Sequence, residues 1–149
     1  MTPGITDLRG PVAPLDPAAL ADREAAKDVA RIYALSIDLR DEAMTLSLFD
    51  PDATITGALG TAPAKDYVPR LISGQEPHAA TMHAIHNQYV TIDGDKATVW
   101  SYCKAYHVFK DKTRPTMIAN SVLKDEMKRT PKGWIITARH ADHKWRDNP

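Results

Sequence analysis

The sequence predicts an α+β fold in which three N-terminal helices pack in a curved, mostly antiparallel sheet. Helical periodicity is confined to the chain before Pro77, whereas strand-type segments rich in β-branched and aromatic residues fill the chain after it. Helices followed by a run of strands are typical of α+β proteins, so we expect the sheet to curl around the helices and leave a cavity. The predicted strands are residues 80–92, 96–110, 115–129 and 133–143, with turn signals at Asp93-Gly94 and Pro131-Lys132-Gly133.

The first helix is predicted to begin after Asp16 and to run to about Leu39. Asp16 can cap the free N–H groups, and Pro17 suits the first helical position because its φ is fixed and it lacks an N–H. One apolar stripe follows at steps near 3.6 residues, formed by Leu20, Ala26, Val29, Ala30, Tyr33 and Ile37.

Two shorter helices are predicted next. Asp41 can cap a second helix that runs through Phe49, and Asp50-Pro51-Asp52 is expected to break it before the strand-like residues 53–56. A weaker third helix is predicted over residues 62–72. It contains Pro63 near its start and Pro69 in its interior, and it ends near Gly74.

Composition limits the domain count and the class of partner. A chain of 149 residues with 43% apolar residues can form one core, so we expect a single domain over residues 16–149 behind an extended N-terminal arm, residues 1–15. Nineteen basic residues balance nineteen acidic ones, which argues against nucleic acid and anionic membranes as partners. The single cysteine, Cys103, fits a reducing compartment, and no segment approaches the roughly 20 apolar residues of a membrane helix, so we expect a cytoplasmic protein.

Several motifs together resemble the SnoaL-like branch of the nuclear-transport-factor-2-like superfamily, over roughly residues 18 to 143. The motifs are Asp22-Arg23-Glu24-Ala25-Ala26 leading to Tyr33-x4-Asp38, Leu48-Phe49-x-Pro51-Asp52-Ala53, His83 to Asn87, Asp93-Gly94-Asp95-x-Ala97, and Gly133-Trp134-Ile135-Ile136 with Arg139. The resemblance implies a cone-shaped α+β barrel that usually pairs as a dimer through the outer face of its sheet, so we expect a homodimer or a higher homo-oligomer. It does not fix the reaction, because this fold hosts dehydratases, dehydrochlorinases, isomerases, epoxide hydrolases, polyketide cyclases and noncatalytic modules.

The resemblance also implies a catalytic set. The Tyr33-x4-Asp38 spacing and His83 are similar to the catalytic residues of bile acid 7α-dehydratase. Asp38 and His83 also match the dyad of hexachlorocyclohexane dehydrochlorinase, and scytalone dehydratase is built on similar lines. Taken singly, a tyrosine on an apolar stripe, an aspartate at a helix end and a histidine on a half-buried strand are each more often structural.

The charge environment expected at the end of the first helix supports the same catalytic set of Tyr33, Asp38 and His83. Near the C-terminus of a helix the macrodipole disfavours a carboxylate, and a nearby imidazolium is the natural compensation for Asp38. We therefore expect Asp38 to orient His83 and to stabilise its protonated form, while His83 carries the proton. Tyr33 lies five positions before Asp38, about 140° around a helix, so both side chains can flank one cavity.

Strand periodicity argues against a metal site. Ligands three residues apart converge on a helix but diverge on a strand, so His83 and His86 are expected on opposite faces. By the same argument, His140 and His143 are not expected to bind one metal ion together. Alternation places Asn87 on the face of His83 and leaves a small-residue face on the next strand that includes Ser101, Cys103 and His107. We expect the substrate-binding residues to be Asn87, Ser101, His107 and Leu123, the last standing where many relatives have a tyrosine. Cys103 is not expected to act as a nucleophile, and Arg139 is expected to pair with an acid such as Asp125.

The predicted function is that of a cofactor-independent lyase, acting by dehydratase-type elimination on a small hydrophobic hydroxylated molecule. No flavin, nicotinamide or phosphate-binding fingerprint occurs in the sequence, and neither a cofactor nor a metal is expected. Two alternatives remain open from the residues alone. The same side chains could serve an isomerase or a retro-aldol carbon–carbon lyase, or they could form a hydrogen-bonded cluster in a noncatalytic ligand-binding or dimerisation module.

Overall fold

The protein is described here by a computed structural model over residues 4–149. Within these residues a short 3₁₀ helix at Ile5–Asp7 precedes three α-helices and six β-strands. The helices are α1 (Pro17–Asp38), α2 (Glu42–Leu46) and α3 (Ala64–Ser73). The strands are β1 (Phe49–Gly57), β2 (Gly60–Pro63), β3 (His78–Asp93), β4 (Lys96–Phe109), β5 (Met117–Thr130) and β6 (Gly133–Asp147).

The six strands form one sheet in the order β2-β1-β6-β5-β4-β3. All neighbours pair antiparallel except β1 and β6, which run parallel. Helix α1 packs against β3, β4 and β6, and α3 packs against β1 and β2. The predicted α+β architecture, a cone-shaped barrel with the helices packed in a mostly antiparallel sheet, is confirmed.

Helix α1 begins and ends as local chemistry dictates. The Asp16 carboxylate accepts a hydrogen bond of 2.8 Å from the backbone N–H of Ala19, which satisfies one of the free donors at the helix start. The helix stops at Asp38 because Arg40 takes a left-handed backbone conformation, with φ of 55°. The Arg40 guanidinium then donates a 2.7 Å hydrogen bond to the carbonyl of His78. This contact fixes the C-terminal end of α1 beside the start of β3.

The region after α1 differs from the prediction in one element boundary. Helix α2 ends at Leu46, and Phe49 already belongs to β1, so the Asp50-Pro51-Asp52 segment lies within a strand and does not merely break a helix. Pairing of β1 with β6 is irregular between Phe49 and Thr54, which is where a proline without an N–H can be accommodated.

The third helix begins two residues later than predicted, because residues 62 and 63 belong to β2, which pairs with β1. This four-residue strand was not predicted, since it is too short for a periodic signal. Pro69 lies inside α3 without ending it, and Gly74 caps the helix C-terminus as expected.

The core lies between α1, α3 and the inner face of the sheet. Its fully buried side chains come from every layer, and the largest of them are Ile37, Ile55, Val68, Val90, Val99 and Ile136. Burial of such aliphatic side chains contributes about 1.5–3 kcal/mol each. These packed layers fix where the helices and strands that carry the cavity side chains lie relative to one another.

Two β-bulges redirect side chains near that cavity. In β3, Ile85 pairs with Cys103 but Gln88 pairs with Ser101, so β3 carries one extra residue between them. In β6, His143 pairs with Ser121 but Trp145 pairs with Asn120, which makes Lys144 the extra residue. A bulge inverts the alternation of the residues that follow it. The simple alternation predicted for β3 therefore fails after Ile85.

The predicted arm, residues 1–15, begins in residues 1–3, which lie outside the described residues. Leu8, Pro11 and Val12 line a surface depression together with Tyr89 of β3. None of the helices in residues 4–149 is long and apolar enough to cross a membrane.

Candidate active site

A cavity of about 160 Å³ lies between the helices and the inner face of the sheet. Tyr33 of α1 and Tyr67 of α3 form one side of it, and β-strand residues such as Ala105 and Ala119 form the other. Most of its lining is apolar, so the cavity suits a small molecule with a largely hydrophobic body.

His83 and Asp38 form a hydrogen-bonded pair at this cavity. The Nδ1 atom of His83 lies 2.7 Å from Oδ1 of Asp38, and His83 itself lines the cavity wall. An ionised carboxylate can only accept, so Nδ1 carries the hydrogen and Nε2 is the nitrogen left free. The pair thus offers a fixed tautomer whose unoccupied nitrogen can accept a proton.

The Asp38 carboxylate accepts three hydrogen bonds from β3. Besides the His83 ring it accepts the backbone N–H of His83 at 2.8 Å and the hydroxyl of Thr81 at 3.0 Å. Partial burial by itself raises the pKa of Asp38, but the hydrogen bonds from His83 and Thr81 outweigh this effect, and the net pKa is lowered. Asp38 therefore stays ionised at neutral pH despite its place at the end of a helix.

The ring of Tyr33 packs against the buried ion pair of Arg139 and Asp125. The guanidinium carbon of Arg139 lies 3.7 Å from the centre of the Tyr33 ring, and Arg139 makes a two-pronged pair with Asp125 at 2.5 and 2.6 Å. Burial raises the pKa of Tyr33, so its phenol keeps its proton at neutral pH and can donate it in a hydrogen bond. The pairing expected for Arg139 and Asp125 is present.

Arg139 also lines the cavity, and its buried Nη1 has no hydrogen-bond partner within residues 4–149. Burial by itself lowers the pKa of Arg139, but the Asp125 charge more than compensates and the net pKa is raised. The guanidinium is therefore a permanent cation whose charge is balanced, with one donor group still available.

His107 stands beside the dyad. Its ring centre lies 5.8 Å from that of His83 and 4.8 Å from that of His78, and its Nδ1 donates to the carbonyl of Ala105 at 3.1 Å. Burial, together with the charges of His83 and His78, lowers the pKa of His107 to about 4. His107 is thus a neutral imidazole on the cavity wall at pH 7.

Leu123 and Cys103 line the cavity as well. Leu123 supplies only hydrophobic surface. Burial raises the pKa of the Cys103 thiol to about 11, so the thiolate needed for nucleophilic chemistry is scarce at neutral pH.

Two of the predicted substrate-binding residues lie away from this cavity. Ser101 is on the inner face of β4 but is fully buried, and its hydroxyl accepts a 3.0 Å hydrogen bond from Gln88, so it is not part of the cavity wall. The expectation that Asn87 shares a face with His83 is wrong, because the bulge in β3 turns it outward. Asn87 is exposed and lines a depression of about 440 Å³ on the outer face of the sheet, beside His86 and Tyr102.

A family model described as a SnoaL-like domain matches residues 18–140 of the chain. This protein belongs to the SnoaL-like domain family. The comparison with curated proteins finds no match.

Solved structures show the same fold at low sequence identity. A protein from Kribbella flavida is 24% identical with a TM-score of 0.79, over 87% of this chain and 95% of that one. A candidate scytalone dehydratase from Novosphingobium aromaticivorans is 19% identical with a TM-score of 0.79, over 88% and 89% of the two chains. The hexachlorocyclohexane dehydrochlorinase LinA-type3 from Novosphingobium barchaimii is 17% identical with a TM-score of 0.76, over 88% and 92%.

In this SnoaL-like domain the histidines that lie three residues apart, His83 with His86 and His140 with His143, do not face a common centre. His83 lines the inner cavity while His86 lines the outer depression, as strand geometry predicts. His143 reaches the cavity rim but His140 is exposed elsewhere on β6. No group of three or more histidine, cysteine, aspartate or glutamate side chains in residues 4–149 is arranged to hold a metal ion.

Several residues of the site were not predicted. Thr81 holds Asp38, Tyr67 lines the cavity from α3, and Arg146 lines its rim from β6. Thr81 lies two residues before His83 on the same face, so strand periodicity could have indicated it. Arg146 could not have been found in this way, because the bulge at Lys144 changes the alternation of β6.

Proposed function

We propose that this SnoaL-like protein is a cofactor-independent lyase of the dehydratase type, acting on a small hydrophobic hydroxylated molecule. The observation that supports this most is the 2.7 Å hydrogen bond between Nδ1 of His83 and Asp38 at the wall of an apolar cavity. A tautomer held by a carboxylate, with the other nitrogen free, is the arrangement that a general base needs.

In the proposed reaction, Nε2 of His83 removes a proton from a substrate carbon. The electron pair of the broken C–H bond forms the new double bond, and the leaving group departs with the electron pair of its bond to the neighbouring carbon. Asp38 stabilises the resulting imidazolium through Nδ1–H. When the leaving group is hydroxide, the imidazolium returns its proton to it, and water is released with the histidine restored.

The neighbouring side chains would orient the substrate. Tyr33 would donate a hydrogen bond to a carbonyl or to the departing hydroxyl, because its raised pKa keeps the phenol protonated. His107 and Leu123 would contact the substrate body from β4 and β5. The low pKa of His107, about 4, keeps it neutral, so it would not compete with His83 for the transferred proton.

The experiment is a turnover screen with matched histidine variants. Hydroxylated and halogenated alicyclic and aromatic compounds would be incubated with the protein, and elimination would be followed by the absorbance of the new double bond and by mass spectrometry. On any compound that reacts, His83→Gln should lower the rate by about 10²–10⁴, the usual contribution of general acid–base catalysis. His86→Gln, three residues along the same strand but on the outer face, should leave the rate unchanged. Equal rates in wild type and His83→Gln would refute the proposal.

The same experiment separates the rival functions. An isomerase would return a product of unchanged mass, and a retro-aldol lyase would return two carbon fragments, whereas elimination of water lowers the mass by that of water. In a noncatalytic module, compounds would bind but none would be converted. Because the family fold accommodates each of these functions, the identity of the product distinguishes between them.

We also propose that two copies pair through the outer face of the sheet. Four large apolar side chains remain exposed there by 37–59% of their surface: the aromatic Tyr89, Tyr102 and Trp145, and the aliphatic Val108. Exposed aromatic side chains of this kind are enriched at subunit interfaces. Light scattering after size exclusion would give twice the mass of one chain if the pairing occurs, and the mass of one chain if it does not.

A further inference from the structure

The rim of the cavity is formed by residues that also face an open depression on the surface. Ala58, His143 and Arg146 line both the inner cavity and an open depression outside it, so these residues lie where the cavity meets solvent. A substrate with its body in the cavity would pass or touch them.

The bulge in β6 is what brings Arg146 to this rim. Along β6, Arg139, Ala141 and His143 face the cavity at every second position. Continued alternation would place residue 145 inside, but the extra residue Lys144 shifts the pattern. Trp145 therefore lies on the outer face and Arg146 faces the cavity.

Arg146 is a cation with no carboxylate partner in the part of the chain that the structure describes. The nearby cations are already paired: Lys144 with Asp142 at 2.5 Å, and deeper in the cavity Arg139 with Asp125. The carboxylate of the adjacent Asp147 is directed to the amide of Asn120, at 3.2 Å, and not to Arg146. The ring of His143 is bonded to the hydroxyl of Ser121 at 2.9 Å, and burial together with the Arg146 charge lowers its pKa. The rim thus carries an exposed guanidinium that makes no ion pair within residues 4–149.

From this geometry we propose that Arg146 binds a carboxylate of the substrate, so that the ligand is an apolar molecule with an acidic group at the cavity mouth. This deepens the proposed function and names the substrate class, but the binding step does not require the dyad. The apolar body would lie against Tyr33 and Leu123, with the carboxylate held at the rim beside His143. A guanidinium matches a carboxylate in shape and charge, which favours this group over a neutral polar one.

The test compares aromatic carboxylates of one or two rings with their neutral amides, for example 1-naphthoate with 1-naphthamide. Dissociation constants would be measured by calorimetry for wild type, Arg146→Gln and Lys144→Gln. Wild type should prefer the carboxylate by about two- to fivefold at low salt, as expected for an ion pair at an exposed site, and salt should reduce the preference. Arg146→Gln should abolish the preference. Lys144→Gln removes an equal positive charge two residues away, from a side chain that does not line the inner cavity, and should retain the preference.

Two outcomes would overturn the proposal: retention of the preference in Arg146→Gln, or failure of every carboxylate in the series to bind wild type more tightly than its amide. The same measurements in His83→Gln separate this proposal from the proposed reaction. A preference that depends on Arg146 should survive in His83→Gln, because within residues 4–149 no hydrogen bond or ion pair joins Arg146 to His83 or Asp38. Failure of the lyase screen alone would leave that binding result standing.

Discussion

The carboxylate of Asp38 accepts hydrogen bonds from both the ring and the backbone of His83, at 2.7 and 2.8 Å. One side chain at the last position of α1 therefore fixes the ring orientation of His83 and also its place along β3. Arg40 secures the same junction through its 2.7 Å bond to the carbonyl of His78. The dyad is consequently a part of how α1 docks on the sheet, and its geometry is preformed.

We expect Asp38→Asn to keep the docking of α1 on β3 but to lose the His83 tautomer that carries its hydrogen on Nδ1. The amide can still accept the backbone N–H of His83, but its NH₂ group can donate to Nδ1 and so favour the Nε2-protonated form. Nitrogen-15 NMR of the imidazole should show this exchange of tautomers without any substrate. Turnover on a compound found by the screen should fall by about 10²–10⁴.

Thr81→Val is the matched control for that variant. It removes one hydrogen bond to Asp38 but leaves the His83 contact, so the tautomer should not change and turnover should fall only a few-fold. If Asp38→Asn retained the wild-type tautomer and rate, the orienting role of Asp38 would be wrong.

The sequence predicted the helices and strands better than it predicted the face of the sheet on which each side chain lies. Capping by Asp16 and Asp41, and the turn at Asp93-Gly94, act through neighbours a few residues away, so the local sequence was enough. The pairing of Asp38 with His83 joins residues 45 positions apart, and it was reached through the family resemblance together with the chemistry of a carboxylate at a helix end.

Errors arose where tertiary pairing overrode local periodicity. The outward turn of Asn87 and the inward turn of Arg146 both follow from bulges, which depend on how two strands register against each other. Ser101 was assigned to the correct face, but Gln88 covers it, a contact between strands that alternation alone does not reveal. The short strand β2 was missed because its pairing with β1, not its composition, defines it.

The buried pair of Arg139 and Asp125 should dominate the stability of the cavity wall. Both side chains are almost inaccessible to solvent, so removal of one partner leaves an uncompensated buried charge. Arg139→Met or Asp125→Leu alone should lower the free energy of unfolding by about 3–5 kcal/mol, measured by urea denaturation. The double variant should cost clearly less than the sum of the two, because no charge is stranded. Additive losses would contradict this account.

Stability should fall on acidification because of His107. Its folded-state pKa is about 4 against an ordinary value of 6.5, so between these pH values the unfolded chain binds a proton that the folded chain does not. Stability is therefore unaffected by this group above pH 6.5 and declines as pH falls toward 4, by at most about 1.4 kcal/mol per pH unit. The lowered pKa of His78 acts in the same direction.

The measurement is urea denaturation at intervals from pH 7.5 to 4.5, with His107→Gln as the comparison. The variant has no imidazole to titrate at this position, so its stability should depend less steeply on pH than that of wild type. Identical slopes in the two proteins would show that His107 does not titrate abnormally in the folded state.

Cys103 should be chemically inert in the folded protein. Burial raises its pKa to about 11 from an ordinary value of 9.0, which lowers the thiolate fraction by about a hundredfold near pH 8. Alkylation by iodoacetamide should be slower than in urea-unfolded protein by at least that factor. Cys103→Ala should retain turnover on any compound converted by wild type; loss of turnover with an intact fold would give the thiol a role that the proposed reaction lacks.

Gly57 is predicted to be intolerant of alanine because of Tyr67. A Cβ atom added at Gly57 would lie 2.6 Å from the Tyr67 hydroxyl oxygen but 3.6 Å from the ring carbon that bears it. The same hydroxyl accepts the N–H of Leu59 at 3.3 Å, so it cannot move without loss of that contact. Gly57→Ala should therefore lower the free energy of unfolding by about 1–3 kcal/mol, the usual cost of overpacking.

Tyr67→Phe provides the decisive comparison. It removes the oxygen atom that would collide while leaving the ring at an ordinary contact distance, and by itself it should cost about 1 kcal/mol or less for the lost hydrogen bond. In the Tyr67→Phe background, Gly57→Ala should then become nearly neutral, which urea denaturation of the four proteins of the cycle would measure. An equal penalty in both backgrounds would mean that the backbone of β1 requires glycine at this position and that the Tyr67 hydroxyl does not.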